Sequence, residues 1–102
     1  MRLIALFNLK PGVAIEDYEA WARATDIPTV KTLKSVADFQ VIKTTGVMGS
    51  DATPPYQYIE IIDVLDADQF GQDVGTVAMQ KIAAEFQALA DVVFLTTEPL
   101  TA

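Results

Sequence analysis

The segment Tyr56 to Val64 (YQYIEIIDV) constrains the fold of this 102-residue chain most strongly. It follows Pro54-Pro55 and is rich in β-branched and aromatic residues, which predicts a β-strand. Successive strand side chains point to opposite faces, which places Tyr56, Tyr58, Glu60, Ile62 and Val64 on one face and Gln57, Ile59, Ile61 and Asp63 on the other. Neither face is wholly polar, so both faces of the predicted sheet are expected to pack against another element or subunit.

The other segments complete a β-α-β-β-α-β order. The predicted elements are strands at residues 3–9, 39–45, 56–64 and 92–97, helices at 15–26 and 76–90, and short helical turns at 30–33 and 68–72. The first helix is expected to end near Asp26, because Pro28 disfavours a helical conformation at Ile27. Asp66 and Thr76 are expected to cap the helical segments that follow them. This order predicts an α+β, ferredoxin-like fold with two helices on one face of a four-stranded antiparallel sheet.

The length and the apolar content indicate one domain that pairs with a second copy. A chain of 102 residues has room for one core, so a single domain is expected over residues 1–102. Apolar residues make up 51% of the chain, yet two helices can cover only one face of the sheet. We therefore expect the second face to pack against another subunit in a homodimer.

Charge and missing residue types exclude several function classes. With 14 acidic and 7 basic residues, the net charge of −7 would repel nucleic acid and anionic membranes. The chain has no Cys and no His, so thiolate, imidazole and Cys-ligated zinc chemistry are excluded. We expect neither a metal nor a cofactor. No apolar run suits a secretory or membrane-spanning segment, which favours a cytoplasmic location.

Four segments carry a resemblance to a known family: LFNLKPGV (6–13), YEAWARATDIPTV (18–30), GSDATPPYQYIEIIDV (49–64) and DVGTVAMQKIAAEF (73–86). Together they resemble the REDY-like, HapK-type proteins over essentially the whole chain. The resemblance implies a dimeric α+β barrel. It also implies a role near the biosynthesis of tripyrrole pigments of the prodigiosin type. Related barrels include cofactor-free monooxygenases, muconolactone isomerases and polyketide cyclases, several of which use a His or an Arg-Trp-Asn set; this chain departs from them in having no His.

Glu60 is the first candidate for catalysis. A carboxylate between Ile59 and Ile61 is costly to bury unless it is paired, and burial would raise its pKa toward the range of a general base. Tyr58 shares its face, and Asn8 near the end of the first strand offers an amide that could orient a substrate carbonyl. The structural alternatives are a pairing of Glu60 at a dimer interface and a loop cap by Asn8.

Five further residues are candidates for substrate binding. Tyr18 and Trp21 lie on or beside the apolar stripe of the first helix, where their rings could line a pocket for a flat heteroaromatic ligand or simply pack in the core. Asp26 and Asp63 are weaker candidates, because Asp commonly ends an element. Arg23, together with Lys43, is their expected countercharge, with a solvated surface position as the alternative. Met79 and Phe86 are assigned to the core.

Three functions remain open from the sequence. The first is a cofactor-independent enzyme that cyclises, condenses or isomerises a small aromatic or pyrrolic metabolite, with Glu60 as the base. The second is a non-catalytic carrier or chaperone of such an intermediate. The third is a cofactor-free monooxygenase whose electron-rich substrate itself activates oxygen.

Overall fold

The computed structural model describes residues 1–101 and has the βαββαβ order expected from the sequence. Its elements are β1 (Arg2–Leu9), α1 (Ile15–Trp21), a π-helical turn (Ala22–Asp26), α2 (Ile27–Lys31), β2 (Val36–Lys43), β3 (Tyr58–Val64), α3 (Ala67–Val74), α4 (Val77–Leu89) and β4 (Ala90–Thr96). The strands form one antiparallel sheet in the order β2-β3-β1-β4. The predicted ferredoxin-like α+β fold is confirmed.

The register of the central strands decides which side chains meet the helices. Glu60 on β3 lies opposite Ala5 on β1, and Ala5 in turn lies opposite Phe94 on β4. Burial alternates along β3, with Tyr58, Glu60, Ile62 and Val64 buried and the residues between them only partly buried. Glu60 therefore shares a face with Tyr58, Ile62 and Val64, as the alternation predicts, and this is the face that meets the helices.

The opposite face of the sheet is apolar and has no helix over it. Its central side chains are Ile4, Leu6, Ile42, Ile59, Ile61, Val93 and Leu95, placed by the same register. Ile42, Val93 and Leu95 are 41%, 41% and 42% exposed. A contiguous apolar surface of this kind marks an interaction site more often than ordinary protein surface.

The helix-facing core falls into two clusters on either side of Glu60. The first cluster contains Phe7, Tyr18, Ala22, Tyr58, Phe86 and Ala90, and the second contains Val30, Val36, Phe39, Ile62 and Val64. Aromatic rings dominate the first cluster: Phe7 stacks on Tyr58 with ring centroids 5.2 Å apart and meets Phe86 edge-on at 4.9 Å. The carboxylate of Glu60 thus lies between two well-packed apolar groups.

The expected helix end at Asp26 is wrong. The helical run continues through Pro28 to Lys31, and Ile27 has the helical angles φ −60° and ψ −51°. A π turn at Ala22–Asp26 precedes the proline, and the Ile27 N–H donates to the carbonyl of Ala22, five residues back. The π turn and the position of Pro28 in the first turn of α2 explain the continuation, since that turn has room for a ring and needs no proline N–H.

Smaller differences concern element bounds. β2 begins at Val36, earlier than expected, and β3 begins at Tyr58, later than expected. The segment after Asp66 is a full helix and not a single turn, and its cap is as predicted: the Gln69 N–H donates to Asp66 Oδ1 at 3.1 Å. Over residues 1–101, no helix has the length and apolar character needed to cross a membrane.

Candidate functional site

Glu60 is an ionisable side chain in an apolar setting. It is only 4% exposed, and its Oε1 has no hydrogen-bond partner within the described chain. Burial, and after it the charge of Asp26, raises the pKa of Glu60 to about 8. An unpartnered polar atom of this kind is uncommon in a folded protein and points to a ligand or a proton-transfer role.

Asp26 is the second buried carboxylate of the site. It is the last residue of the π turn, it is 5% exposed, and burial raises its pKa to about 6. Tyr18, Ala22 and Asp26 are all buried although they lie four residues apart in succession. A regular α-helix would rotate each of them further from the sheet, but the extra residue per turn of the π segment keeps Asp26 on the inner side.

Both carboxylates lie in the wall of one cavity of about 320 Å³ between the helices and the sheet. The rest of its wall is almost entirely apolar and comprises Leu3, Val30, Phe39, Ile62, Phe70, Val74, Met79, Ile82, Ala83, Phe86, Gln87 and Phe94. Ala83, Gln87 and Phe94 are exposed to solvent, so the cavity opens between α4 and the edge strand β4. Its size and its lining suit a small, flat organic molecule.

The charges of the site follow from these surroundings. Between about pH 6 and pH 8, the raised pKa values leave Glu60 protonated and Asp26 ionised, so the two carboxyl groups together hold one proton and one negative charge. All seven basic residues fall within the part of the chain that the structure describes, and none of them lines this cavity. The site can therefore accept a proton or hold a proton-donating ligand, in mostly apolar surroundings.

Tyr18 and Tyr58 line a different, smaller cavity of about 130 Å³, together with Glu19, Arg23 and Lys43. The Tyr58 hydroxyl donates to Glu19 Oε2 at 2.7 Å, and Lys43 Nζ and Arg23 lie 2.8 and 3.2 Å from the same carboxylate. The hydrogen bond from Lys43, followed by that from Tyr58, lowers the pKa of Glu19. Arg23 and Lys43 are therefore countercharges of Glu19 and not of Asp26 or Asp63, which corrects the expectation from the sequence.

Tyr18 lines the smaller cavity and is close enough to the carboxyl groups of the larger one to be influenced by their charge. Its side chain is fully buried, and its hydroxyl has no hydrogen-bond partner among residues 1–101. Burial raises the pKa of Tyr18, and the nearby charges of Glu60 and Asp26 raise it further. The hydroxyl thus stays protonated and lies within electrostatic reach of both carboxyl groups.

Asn8 and Asp63 lie away from Glu60. The Asn8 side chain bonds the loop before β3 with both ends of its amide: Nδ2 donates to the carbonyl of Pro55 at 3.0 Å and Oδ1 accepts from the Gln57 N–H at 2.9 Å. Asp63 pairs with Arg2 at 2.8 Å on the outer side of the sheet. The structure therefore does not bring Glu60, Tyr58 and Asn8 together as one catalytic set.

Trp21 packs between helices. Its Nε1 donates to Glu85 Oε2 at 2.8 Å, and its ring stacks on Phe86 with centroids 6.0 Å apart and planes 3° from parallel. Its polar edge therefore joins α1 to α4. Trp21 touches the large cavity only through Phe86, which lines it.

The sequence reasoning missed Glu19 and most of the cavity wall. The spacing of Glu19 and Arg23, four residues apart on one helix, was a usable signal for the Glu19 pair. No sequence pattern distinguishes the residues of the cavity wall from core residues. Met79, Ile82 and Phe86 have the same helical periodicity whether they fill a core or surround a cavity. Over residues 1–101 there is no group of three or more acidic, His or Cys residues that could hold a metal ion.

The fold and site define a class: a small ferredoxin-like α+β protein with an apolar, ligand-sized cavity that holds two buried carboxyl groups. The family model described as REDY-like protein HapK matches residues 1–100, and the chain belongs to this family.

Solved structures agree with this assignment. HapK from Hahella chejuensis is 27% identical, with 100% of this chain and 95% of that chain covered and a TM-score of 0.77. An Arabidopsis thaliana protein is 17% identical over 99% of this chain and 96% of that one, with a TM-score of 0.79. SnoaB, a cofactor-independent oxygenase from Streptomyces nogalater, is 14% identical over 97% and 93%, with a TM-score of 0.69. The last two likenesses show the fold alone. A search of curated proteins finds no match.

Proposed function

We propose that this chain is a cofactor-independent protein of secondary metabolism that promotes proton transfer in a small aromatic or pyrrolic intermediate. The observation that carries the proposal is Glu60, whose buried Oε1 has no partner within the described residues and which lines an apolar cavity. A base in such a place reacts without first shedding a hydration shell. The family membership supports a small, cofactor-free protein of secondary metabolism, and within this proposal its reaction is the cyclisation, condensation or isomerisation of such a molecule.

The proposed chemistry uses Glu60 as a base and then as an acid. Oε1 removes a proton from a carbon or nitrogen next to the reacting bond, and the neutral carboxylic acid returns that proton after the bond has formed or moved. No electrons are gained or lost, so no redox partner is needed. With a pKa of about 8, roughly a tenth of the Glu60 side chains are ionised at about pH 7, and this ionised fraction acts as the base. The pKa is close enough to the working pH for the same group to return the proton. Asp26 assists by keeping that pKa high.

Conversion of a candidate substrate by purified protein tests this proposal. Wild type, Glu60→Gln and Asp63→Asn are each incubated with bipyrrole and other small aromatic aldehydes and alcohols, and the small molecules are analysed by mass spectrometry. Asp63→Asn is the matched control, because it neutralises a carboxylate on the opposite side of the sheet. We expect conversion by wild type and Asp63→Asn, and a loss of about 100-fold or more in Glu60→Gln. Equal turnover in Glu60→Gln contradicts the assignment of the base.

The same incubation separates the rival functions. A molecule that is retained unchanged by native mass spectrometry, with no product from any substrate, supports a carrier. Oxygen consumption that accompanies conversion supports a cofactor-free monooxygenase; SnoaB, whose fold is similar, is a cofactor-independent oxygenase. Either result replaces the proton-transfer proposal.

We further propose that residues 1–102 form one domain and that two copies pair through their apolar sheet faces, as in a dimeric α/β barrel. The partly exposed face centred on Ile4, Leu6, Ile59 and Ile61 supports this, because no helix of the described chain covers it in one subunit. Light scattering at micromolar concentration is expected to give twice the mass of one chain. A strictly monomeric mass rules the dimer out.

A further inference from the structure

The wall of the large cavity contains two acidic residues and no basic residue of the described chain. Asp26 and Glu60 are both more than nine-tenths buried, and both line the cavity. Lys and Arg side chains of the described chain are absent from the wall, and Gln87 is the only other polar residue in it. A buried carboxylate without a positive partner is unfavourable, so a ligand that brings a positive charge would gain more than a neutral one.

We propose that the cavity binds small aromatic or heteroaromatic molecules that carry a protonated nitrogen, with the N–H⁺ group set against the carboxyl groups of Asp26 and Glu60. This inference deepens the proposed function and depends on it for the location of the site. It adds the substrate class: cationic molecules are accepted, neutral analogues of the same shape bind less well, and anionic ones are rejected.

The wall offers the two kinds of contact that such a molecule needs. Phe39, Phe70, Phe86 and Phe94 supply aromatic surface for a flat ring. Glu60 supplies Oε1, which has no partner within the described chain, as an acceptor for an N–H group, and Asp26 supplies the ionised carboxylate. A hydrogen bond between a charged donor and a carboxylate is about twice as strong as a neutral one, so the contact with Asp26 orients the ring as well as holding it.

A cationic substrate also makes the proposed proton transfer easier. When an ionised carboxylate removes a proton from a cation, both products are neutral, and the dry cavity favours the neutral pair over the two separated charges. Removal of a proton from a neutral substrate would instead create an anion beside the second carboxyl group. The same two residues thus disfavour an anionic intermediate and favour the neutral one.

Binding of three isosteric probes to the full chain tests this inference. The probes are 2-naphthylmethylamine, 2-naphthylmethanol and 2-naphthoate, which share a flat bicyclic ring and differ in charge. Isothermal titration calorimetry near neutral pH is expected to give the amine at least about a tenfold lower Kd than the alcohol, and no detectable binding of the carboxylate. Asp26→Asn and Glu60→Gln are each expected to reduce the preference for the amine. Asp63→Asn removes a carboxylate that lies outside the cavity, beside Arg2, and should keep that preference.

Each outcome decides the inference. Equal affinity for amine and alcohol, preference for the carboxylate, an amine preference that survives both pocket variants, or no binding of any probe overturns it. In the case of equal affinity, the proposed function stands or falls separately on the turnover of Glu60→Gln. If the amine preference holds but Glu60→Gln turns over normally, the substrate class stands and the base assignment fails.

Discussion

Replacing Glu60 by Gln should stabilise the protein, and the gain should grow with pH. In the unfolded chain the carboxyl group has an ordinary pKa of 4.5, whereas in the folded protein burial raises it to about 8. Between these values the unfolded state loses a proton that the folded state keeps. The sign follows from linkage: a pKa that is raised on folding lowers the free energy of unfolding as the pH rises through this window.

The magnitude follows from the two pKa values. Between these two pKa values, each unit of pH lowers the free energy of unfolding by about 1.4 kcal/mol. The penalty of wild-type Glu60 is therefore about 1 kcal/mol at about pH 5, about 3 kcal/mol at about pH 7 and about 4 kcal/mol at about pH 8. Gln does not titrate, so the stability difference between Glu60→Gln and wild type should widen by about 3 kcal/mol from about pH 5 to about pH 8.

Chemical denaturation followed by far-UV circular dichroism measures this difference. Both proteins are unfolded at equal chain concentration across the pH range, because association would make the apparent stability depend on concentration. Asp63→Asn serves as the control whose difference from wild type should not follow this trend, since Asp63 lies on the outer side of the sheet beside Arg2. A Glu60→Gln difference that stays constant from about pH 5 to about pH 8 would refute the raised pKa and, with it, the main argument for a base.

Three other changes test separate parts of the structure. Asp26→Asn removes the charge that helps to raise the pKa of Glu60, so the pH at which turnover reaches half its maximum should move below about 8; an unshifted profile would mean that the two groups do not interact. Ile61→Lys places a charge in the uncovered sheet face and should halve the mass seen by light scattering, whereas Val77→Lys, at a position 90% exposed on α4, should not; two unchanged masses would locate the dimer contact elsewhere. Asp66→Ala removes the cap of α3 and should lower the free energy of unfolding by about 1 kcal/mol; no loss would show that the cap is dispensable.

The sequence was most informative where one periodic signal decided the structure. The alternation in Tyr58–Val64 correctly placed Glu60 on one face with Tyr58 and Ile62, and the packing of the helices then identified that face as the inner one. Turn residues and caps located the ends of the later helices to within a few residues. These features depend on neighbouring residues, which the sequence displays directly.

The site was less predictable, because it depends on contacts between distant segments. Asp26 was a weak candidate for substrate binding, because Asp often ends a helix and the nearby Pro28 strengthened that interpretation. The π turn before Pro28 instead lets the helical run continue and keeps Asp26 buried. No local sequence pattern indicates such a turn. Asn8 shows the opposite error: its amide has the right chemistry for a substrate, but its hydrogen bonds go to Pro55 and Gln57.

The π turn at Ala22–Asp26 also marks a place where the chain can lose a residue without losing the acidity of the cavity. A π turn amounts to one additional residue within an α-helix. Deleting one of residues 22–25 would restore the regular pitch and leave the aspartate seven residues after Tyr18, a spacing that returns to the same face of an α-helix. The carboxylate of Asp26 should then stay on the side of Glu60, so this architecture can lose one residue here and keep both acidic groups in the cavity.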